Sequence, residues 1–117
     1  MLSFEEAIND CTLEQDLARW FAGAHKELFG NGPQVVNAVV IDSYCVIAAN
    51  KVLNKFEKSL TSIPEGPYRV QYTRNLLFEE VKEEFKVSFY QVFKLKVKDI
   101  RYSLNVEKDK SLFIVVT

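Results

Sequence analysis

Two long stretches of the chain have a helical period, and each is followed by two short runs of β-branched and apolar residues. The first stretch places one apolar stripe on a helix, made of Leu13, Leu17, Trp20, Phe21, Ala24 and Leu28. The second stretch does the same with Val70, Leu77, Phe78, Val81, Phe85 and Phe89. The apolar runs predict two β-hairpins, with a short helix before the second long one. The order α-β-β-α-α-β-β therefore predicts an α+β fold of two layers: a four-stranded, mostly antiparallel sheet with helices packed on one face.

The ends of the first helix are marked by residues that satisfy free backbone groups. Ser3 and Glu6 have the spacing of a capping box, so we expect the helix to start there. Gly30 is expected to end it in the left-handed conformation, and Pro33 prevents its continuation. A phosphate loop would precede a helix, whereas Gly30–Pro33 follows one, so we interpret this segment as a helix end and a turn.

Further boundaries follow from turn and cap residues. Asp42-Ser43 separates the first two strands, and Asn54 is expected to cap the short helix, which Pro64 ends. After Phe93 the pattern has period two, with its inward phase changing at Lys98-Asp99. A strand that changes phase needs one extra residue, so we predict a β-bulge or kink there.

Size and charge exclude several classes of protein. The chain has 117 residues, about the length of one domain, so residues 1–117 are predicted to form a single α+β domain. Hydrophobic residues make up 48%, which argues against disorder. Fifteen basic and sixteen acidic residues give a net charge of −1, and we therefore expect no nucleic-acid partner.

Targeting features point to a cytoplasmic protein. The chain turns acidic at Glu5 before any apolar run, so neither a signal peptide nor a transit peptide is expected. No apolar stretch approaches the length of a membrane span, so we expect no direct membrane insertion. Cys11 and Cys45 lie far apart without a C-x-x-C pair, which predicts two free thiols in a reducing compartment.

Histidine and cysteine content argues against enzymatic chemistry. His25 is the only histidine, so it alone would have to support a catalytic triad or a Cys-His pair. We interpret it as a partly exposed imidazolium near the negative end of the first helix. One histidine and two distant cysteines do not form a zinc-ligand pattern. The sequence predicts no catalytic residue, no cofactor and no metal site, and thus a non-enzymatic protein.

The start of the second long helix is the first candidate binding site. Gly66 and Pro67 open this helix, where free amides attract anions, and Arg69 and Arg74 follow within two turns. They could hold a carboxylate or phosphate, so an alternative function is that of a small-anion or small-ligand sensor. Gly-Pro is also common punctuation at a helix start, and this structural interpretation is favoured.

A lysine stripe is the second candidate. Lys94, Lys96 and Lys98 alternate along a predicted strand and could contact an anion or a partner. Cations interleaved with aromatic residues can bind single-stranded nucleic acid. Lysines on a sheet also prevent edge pairing and keep a protein soluble, and we favour this role.

The aromatic content suggests an interaction surface. Aromatic residues make up 13% of the chain, many for one small core. A sheet with helices on one face leaves the other face open, so some apolar surface should remain exposed. The sequence therefore favours a homodimer, or a docking surface for a larger protein, over a catalytic pocket.

Three short motifs give the chain a family resemblance. They are Gly30-Asn31-Gly32-Pro33, then Val46-x-x-x-x-x-Val52-Leu53-Asn54-x-x-Glu57-Lys58-x-Leu60, then Gly66-x-x-x-Val70-x-x-x-Arg74. In order and spacing they resemble the MpsC-like domain of small bacterial proteins, and the resemblance extends from about Leu13 to Val116. The family pattern usually has glycine near Lys94, aspartate near Ser103 and threonine in place of Asn54, so the chain departs from it there.

The resemblance implies a function that the residues alone do not. It implies a small accessory or regulatory protein of a cation-coupled system for membrane energisation or inorganic-carbon uptake. It also implies a protein partner in a membrane complex, and it supplies no catalytic residue.

Overall fold

The computed structural model describes the backbone of residues 4–117 and the side chains from residue 12 onward. Within this range the order of elements is the predicted one. The helices are α1 (Phe4–Phe29), α2 (Lys55–Leu60) and α3 (Gly66–Phe93). The strands are β1 (Val35–Ile41), β2 (Tyr44–Asn50), β3 (Asp99–Asn105) and β4 (Lys110–Val116). The cap predicted at Ser3 lies outside the described residues.

All three strand pairs are antiparallel, and the sheet order is β1-β2-β4-β3. Each hairpin contributes two adjacent strands, and β2 pairs with β4 to join the hairpins into one sheet. In this central pair Ile47 lies opposite Phe113, and both side chains are buried. The α+β architecture with four antiparallel strands confirms the predicted fold class.

The two long helices cover one face of the sheet. Leu17 and Phe21 of α1 and Phe85 and Phe89 of α3 are buried in the core between helices and sheet. Trp20 joins the two helices, because its ring meets that of Phe89 edge-on at 5.2 Å. Its indole Nε1–H also donates to Ser88 Oγ at 2.9 Å. The predicted apolar stripes are therefore the faces that these helices bury.

Alternation along each strand leaves the opposite face of the sheet open. On β1 every second residue from Val35 is exposed, and on β2 Cys45, Ile47 and Ala49 point inward. The outward residues of β4 include Leu112, which is exposed. We call the open side the outer face.

The segment before β3 differs from its prediction. Residues 94–98 form no strand, and β3 begins only at Asp99. A bend lies at Lys98, where the sequence predicted a bulge or kink, so the kink alternative is met. It precedes the strand, and the phase change therefore marks the start of β3 instead of a bulge within it. Lys94 ends α3 in the left-handed conformation, with a φ of 58°. Its amide donates to the Tyr90 carbonyl, and this turn separates the helical from the extended pattern.

Within residues 4–117 none of the helices combines the length and the hydropathy needed to cross a bilayer.

Candidate functional site

A buried ion pair between α2 and α3 is the centre of the polar interior. The side chain of Arg74 is only 2% exposed. Its Nε donates to Glu57 Oε2 at 2.7 Å, and its Nη2 donates to Glu57 Oε1 at 2.7 Å. This bidentate geometry is the strongest that an arginine and a carboxylate can make. Each charge is therefore neutralised inside the protein.

The ion pair also fixes two loops. Arg74 Nη2 donates to the Val52 carbonyl at 2.6 Å, and Asn31 Nδ2 donates to the same oxygen at 2.8 Å. The Asn31 carbonyl oxygen lies 2.5 Å from Nδ1 of His25, a residue in the last turns of α1. One network thus joins α1, the loop after it, the segment that follows β2, α2 and α3. We call His25, Asn31, Val52, Glu57 and Arg74 the Arg74 hub.

Local sequence places Glu57 for this contact. Asn54 Oδ1 accepts the Glu57 amide, and Glu57 Oε1 accepts the Asn54 amide, which completes a capping box at the start of α2. The same Glu57 carboxylate binds Arg74, so one side chain caps a helix and neutralises a buried cation. The predicted Asn54 cap is confirmed. The helix itself ends at Leu60, with Thr61 as its C-cap, before the predicted end at Pro64.

Close packing between the ends of α2 and α3 brings the two charges together. A Cβ at Gly66 would lie 1.5 Å from the Leu60 carbonyl oxygen, so only glycine fits at this contact. The Gly66 amide donates to the Ile63 carbonyl at 2.8 Å. Gly66 therefore sets the distance between the helices that the Glu57–Arg74 pair spans.

His25 differs from its predicted state. The ring is fully buried, and its centroid lies 4.8 Å from that of Phe29. The net pKa of His25 is lowered from 6.5 to about 4. Burial is the main cause and the charge of Arg74 adds to it, whereas the hydrogen bond to Asn31 and the charge of Glu57 act in the opposite direction. The prediction of a partly exposed imidazolium is therefore wrong, because the ring is neutral at pH 7 and packs in the core. With Asn31 as acceptor, Nδ1 carries the proton, and Nε2 has no partner among the described residues.

Aromatic rings enclose the Arg74 hub. The Arg74 guanidinium lies over the Phe29 ring, 4.7 Å from its centroid. Burial raises the pKa of the neighbouring Tyr102 hydroxyl to about 12. Burial alone would lower the pKa of Arg74, but the Glu57 carboxylate outweighs this effect and raises it. The Arg74 guanidinium therefore stays charged at physiological pH.

The predicted anion site is divided between the interior and the surface. Gly66 is buried against Leu60, and Arg74 belongs to the hub. Arg69 is exposed and lies 3.7 Å from Glu65. Arg74 stands five positions after Arg69, which turns their side chains about 140° apart on α3. The structure does not bring them together at the start of the helix.

The lysine stripe lies in the link between α3 and β3. Lys94, Lys96 and Lys98 are all exposed, but this segment is not a strand, so they do not form one side of a sheet. Cys45 is a buried free cysteine, as predicted, and burial raises its pKa. The side chain of Cys11 lies outside the described residues.

Sequence reasoning missed Glu57 and Asn31 as members of one network. Glu57 stands 17 positions from Arg74, and Asn31 stands 43 positions from it. The spacing Asn54-x-x-Glu57 could have revealed the capping box, but no local pattern pairs Glu57 with Arg74. Among the side chains described, no group of three or more histidine, cysteine or acidic residues is arranged to hold a metal ion.

These features define a small α+β domain with a closed polar hub and an open sheet face. A family model described as "Na+-translocating membrane potential-generating system (MpsC)" matches residues 9–117. The chain therefore belongs to the MpsC family, and the resemblance found in its motifs is confirmed. Comparisons with curated proteins and with solved structures find no match. In the structure the three motifs meet, since Asn31, Val52, Glu57 and Arg74 are hub residues and Gly66 sets their spacing.

Proposed function

We propose that this protein is a non-enzymatic, cytoplasmic accessory component of a membrane-potential-generating system and acts by binding other proteins. The family description supports the link to Na⁺ translocation and membrane potential. The hub supports a structural use of the polar interior, because its charged groups are bound to one another and to backbone carbonyls. The buried free thiol of Cys45 is typical of a reducing compartment.

The observation that carries the proposal is a row of large side chains left in solvent along α3. Tyr68 is 71% exposed and Tyr72 is 57% exposed. Their rings are stacked, with centroids 6.4 Å apart, and Leu76 continues the row at the same spacing of four. We call these three residues the tyrosine row. Tyrosine is enriched among the residues that contribute most binding energy in protein interfaces. Exposure of the apolar parts of these side chains to water does not stabilise the folded chain, whereas burial against a partner would stabilise the complex.

We infer that the tyrosine row contacts a protein subunit of the membrane system. Acidic residues continue along the same helix after the row, with Glu79, Glu80, Glu83 and Glu84 all exposed. A partner surface with an apolar centre and a basic rim would complement both parts.

Membrane binding tests this proposal. Purified chain should bind membranes from cells that express the Na⁺-translocating system and should not bind membranes from the same cells lacking it. Replacing Tyr68 and Tyr72 together by alanine should weaken binding by about tenfold or more, as loss of two interface anchors does. Tyr90→Ala is the matched control, because Tyr90 is an exposed tyrosine at the other end of the same helix. Equal binding to both kinds of membrane would overturn the proposed function.

A further inference from the structure

The outer face of the sheet has a graded composition. Toward one end the cross-strand neighbours are Asn37, Ala48, Leu112 and Ser103, then Val35, Asn50, Lys110 and Asn105. Toward the other end three strands carry only apolar residues and one tyrosine: Val39, Ile41, Tyr44, Val46, Ile114 and Val116. We call these six residues the apolar patch. Several of them are exposed, so the patch presents hydrophobic area to water.

One strand beside the apolar patch carries opposite charges. Arg101 is the cross-strand neighbour of Ile114, and Asp99 is the neighbour of Val116. Both point to the outer face, two residues apart, beside a groove of about 340 Å³ that Tyr44 also lines. Lys82 Nζ lies 3.2 Å from Asp99 Oδ1, and this contact holds the pKa of the Asp99 carboxyl below its usual value. Arg101 reaches the same carboxylate only at 3.5 Å and is otherwise exposed.

We propose that the outer face is the interface of a homodimer, with its two-fold axis passing between the level of Asp99 and the level of Arg101. The axis lies in the plane between the two sheets and runs across the strands. Each β3 then lies over the partner's β3, and each Asp99 faces the partner's Arg101. The same operation places Tyr44 over the partner's Val46 and Val116 over the partner's Ile114.

Other two-fold arrangements of the same face match less well. An axis along the strands would place β3 over the partner's β1, so the charges of Asp99 and Arg101 would meet Ile41 and Val39. An axis at the level of Arg101 would bring the two Arg101 side chains together. An axis at the middle of the sheet would place Tyr44 over Asn50 and Val116 over Lys110. Among these four arrangements, the proposed axis is the one that pairs apolar with apolar residues and acid with base, which is the self-complementarity that a two-fold interface requires.

The size of the interface indicates a weak dimer. Four strands are about 19 Å wide, and the two levels that meet extend about 14 Å along them. In projection such a contact covers about 270 Å², roughly a third of the 800 Å² per partner that a standard specific interface buries, so we expect association to be weak and transient. The ion pairs lie on the edge strand β3, where they stay hydrated at the rim and cost little desolvation. This inference rests on the proposed function, because both assume that the chain works through contacts with proteins. It goes further by naming one partner, a second copy of the chain.

Sedimentation of the purified chain over a dilution series tests the dimer. The wild-type protein should change from dimer to monomer with dilution. Val39→Asp should raise the dissociation constant at least about tenfold, because it puts a charge into the apolar patch. Val35→Asp is the matched control: it lies on the same strand and face, its exposure is 46% against 47%, and it is outside the proposed contact. Wild-type protein that stays monomeric at the highest concentration, or equal effects of the two variants, would overturn the inference.

A charge exchange tests the position of the axis. Asp99→Arg and Arg101→Asp should each weaken the dimer about tenfold, because each places like charges opposite one another. The double exchange should restore the dissociation constant to within about threefold of the wild-type value. Asn105→Asp, on the same strand but outside the contact, should change nothing. Failure of the double exchange to restore association would overturn the proposed axis.

Thermal unfolding of each variant identifies any that no longer fold, and in that case the two valine variants decide. The two proposals can fail separately. A monomeric chain that still binds the membrane system would remove the dimer alone. A dimer that ignores the membrane system would remove the proposed function alone.

Discussion

Arg74 binds a carboxylate, a carbonyl and an aromatic ring while almost fully excluded from solvent. Removing one member of a buried ion pair leaves the other charged in a medium that solvates it poorly. We predict that Arg74→Met lowers the free energy of unfolding by about 3 to 5 kcal/mol, measured by urea denaturation.

Two controls separate this effect from a general loss of helix stability. Arg69→Met removes an exposed arginine from the same helix and should change the free energy of unfolding by less than about 0.5 kcal/mol. Glu57→Leu combined with Arg74→Met should cost less than the sum of the two single changes, because no unpaired charge remains. Additive costs would contradict the buried pair.

His25 makes stability depend on pH. The pKa of His25 is about 4 in the folded protein, whereas an unperturbed histidine, as in the unfolded chain, has a pKa of 6.5. As pH falls below about 6.5, the unfolded chain binds a proton that the folded chain refuses, so the free energy of unfolding decreases until pH reaches about 4. The contribution is complete at neutral pH, and about 2 kcal/mol of it should be lost between pH 7 and pH 5.

The measurement compares wild type with His25→Phe in urea at both pH values. The variant keeps a ring in the core but cannot titrate, so its loss between pH 7 and pH 5 should be smaller by that amount. Carboxylates that titrate in this range are common to both proteins and cancel in the difference. The same loss in both proteins would show that His25 is not buried in the neutral form.

At the level of elements, Gly66 sets how closely α2 and α3 approach. Gly66→Ala would push a methyl group into the Leu60 carbonyl, so we predict a loss of roughly 3 kcal/mol or more in the free energy of unfolding. Gly23→Ala is the control within α1, where nothing lies within 4 Å of the added Cβ. That change should stabilise the protein by up to about 1 kcal/mol. Thermal or urea unfolding measures both, and a neutral Gly66→Ala would disprove the close contact.

Local signals account for the elements that the sequence predicted. The Asn54 cap, the Gly30 helix end and the Asp42-Ser43 turn each depend on a few neighbouring residues, and all three are confirmed. The phase change near Lys98 correctly predicts a bend there, but the residues before it form no strand, because one residue pattern continues from a link into a strand. Only the left-handed Lys94 and the pairing of β3 with β4 reveal where the strand begins.

Long-range contacts set the limit of sequence reasoning for the site. The partner of Arg74 depends on how α2 packs on α3, which periodicity does not encode. Burial of His25 depends on two groups that sequence periodicity does not bring together. They are the inward-facing aromatic rings of α1 and the loop after α1, whose Asn31 carbonyl binds the imidazole. The predicted open face of the sheet could be derived, because alternation within each strand and helices on one side are enough to imply it.

At the scale of the whole molecule, β1 is an edge strand whose free amides could pair with another chain. Glu14 of α1 blocks one of them, since its Oε2 accepts the Val40 amide at 3.1 Å. We predict that Glu14→Ala increases aggregation several-fold, because an unprotected edge is a template for strand addition. Light scattering on heating below the unfolding temperature measures this rate.

Glu27→Ala removes an exposed carboxylate from the same helix and controls for the change in net charge. It should leave the aggregation rate near that of the wild type. Similar rates for the two variants would mean that charge, and not the edge of β1, controls aggregation.

The position of β4 between β2 and β3 bears on how the chain folds during synthesis. The first hairpin emerges from the ribosome early, but the strand that joins it to the rest of the sheet is made after every other element. Until then β2 has a bare inner edge and the aromatic rings of α1 have no Phe113 to pack on. A ribosome paused within the second hairpin would therefore hold a partly formed sheet with an unpaired strand edge and exposed apolar side chains. Such an intermediate is a natural substrate for a nascent-chain chaperone.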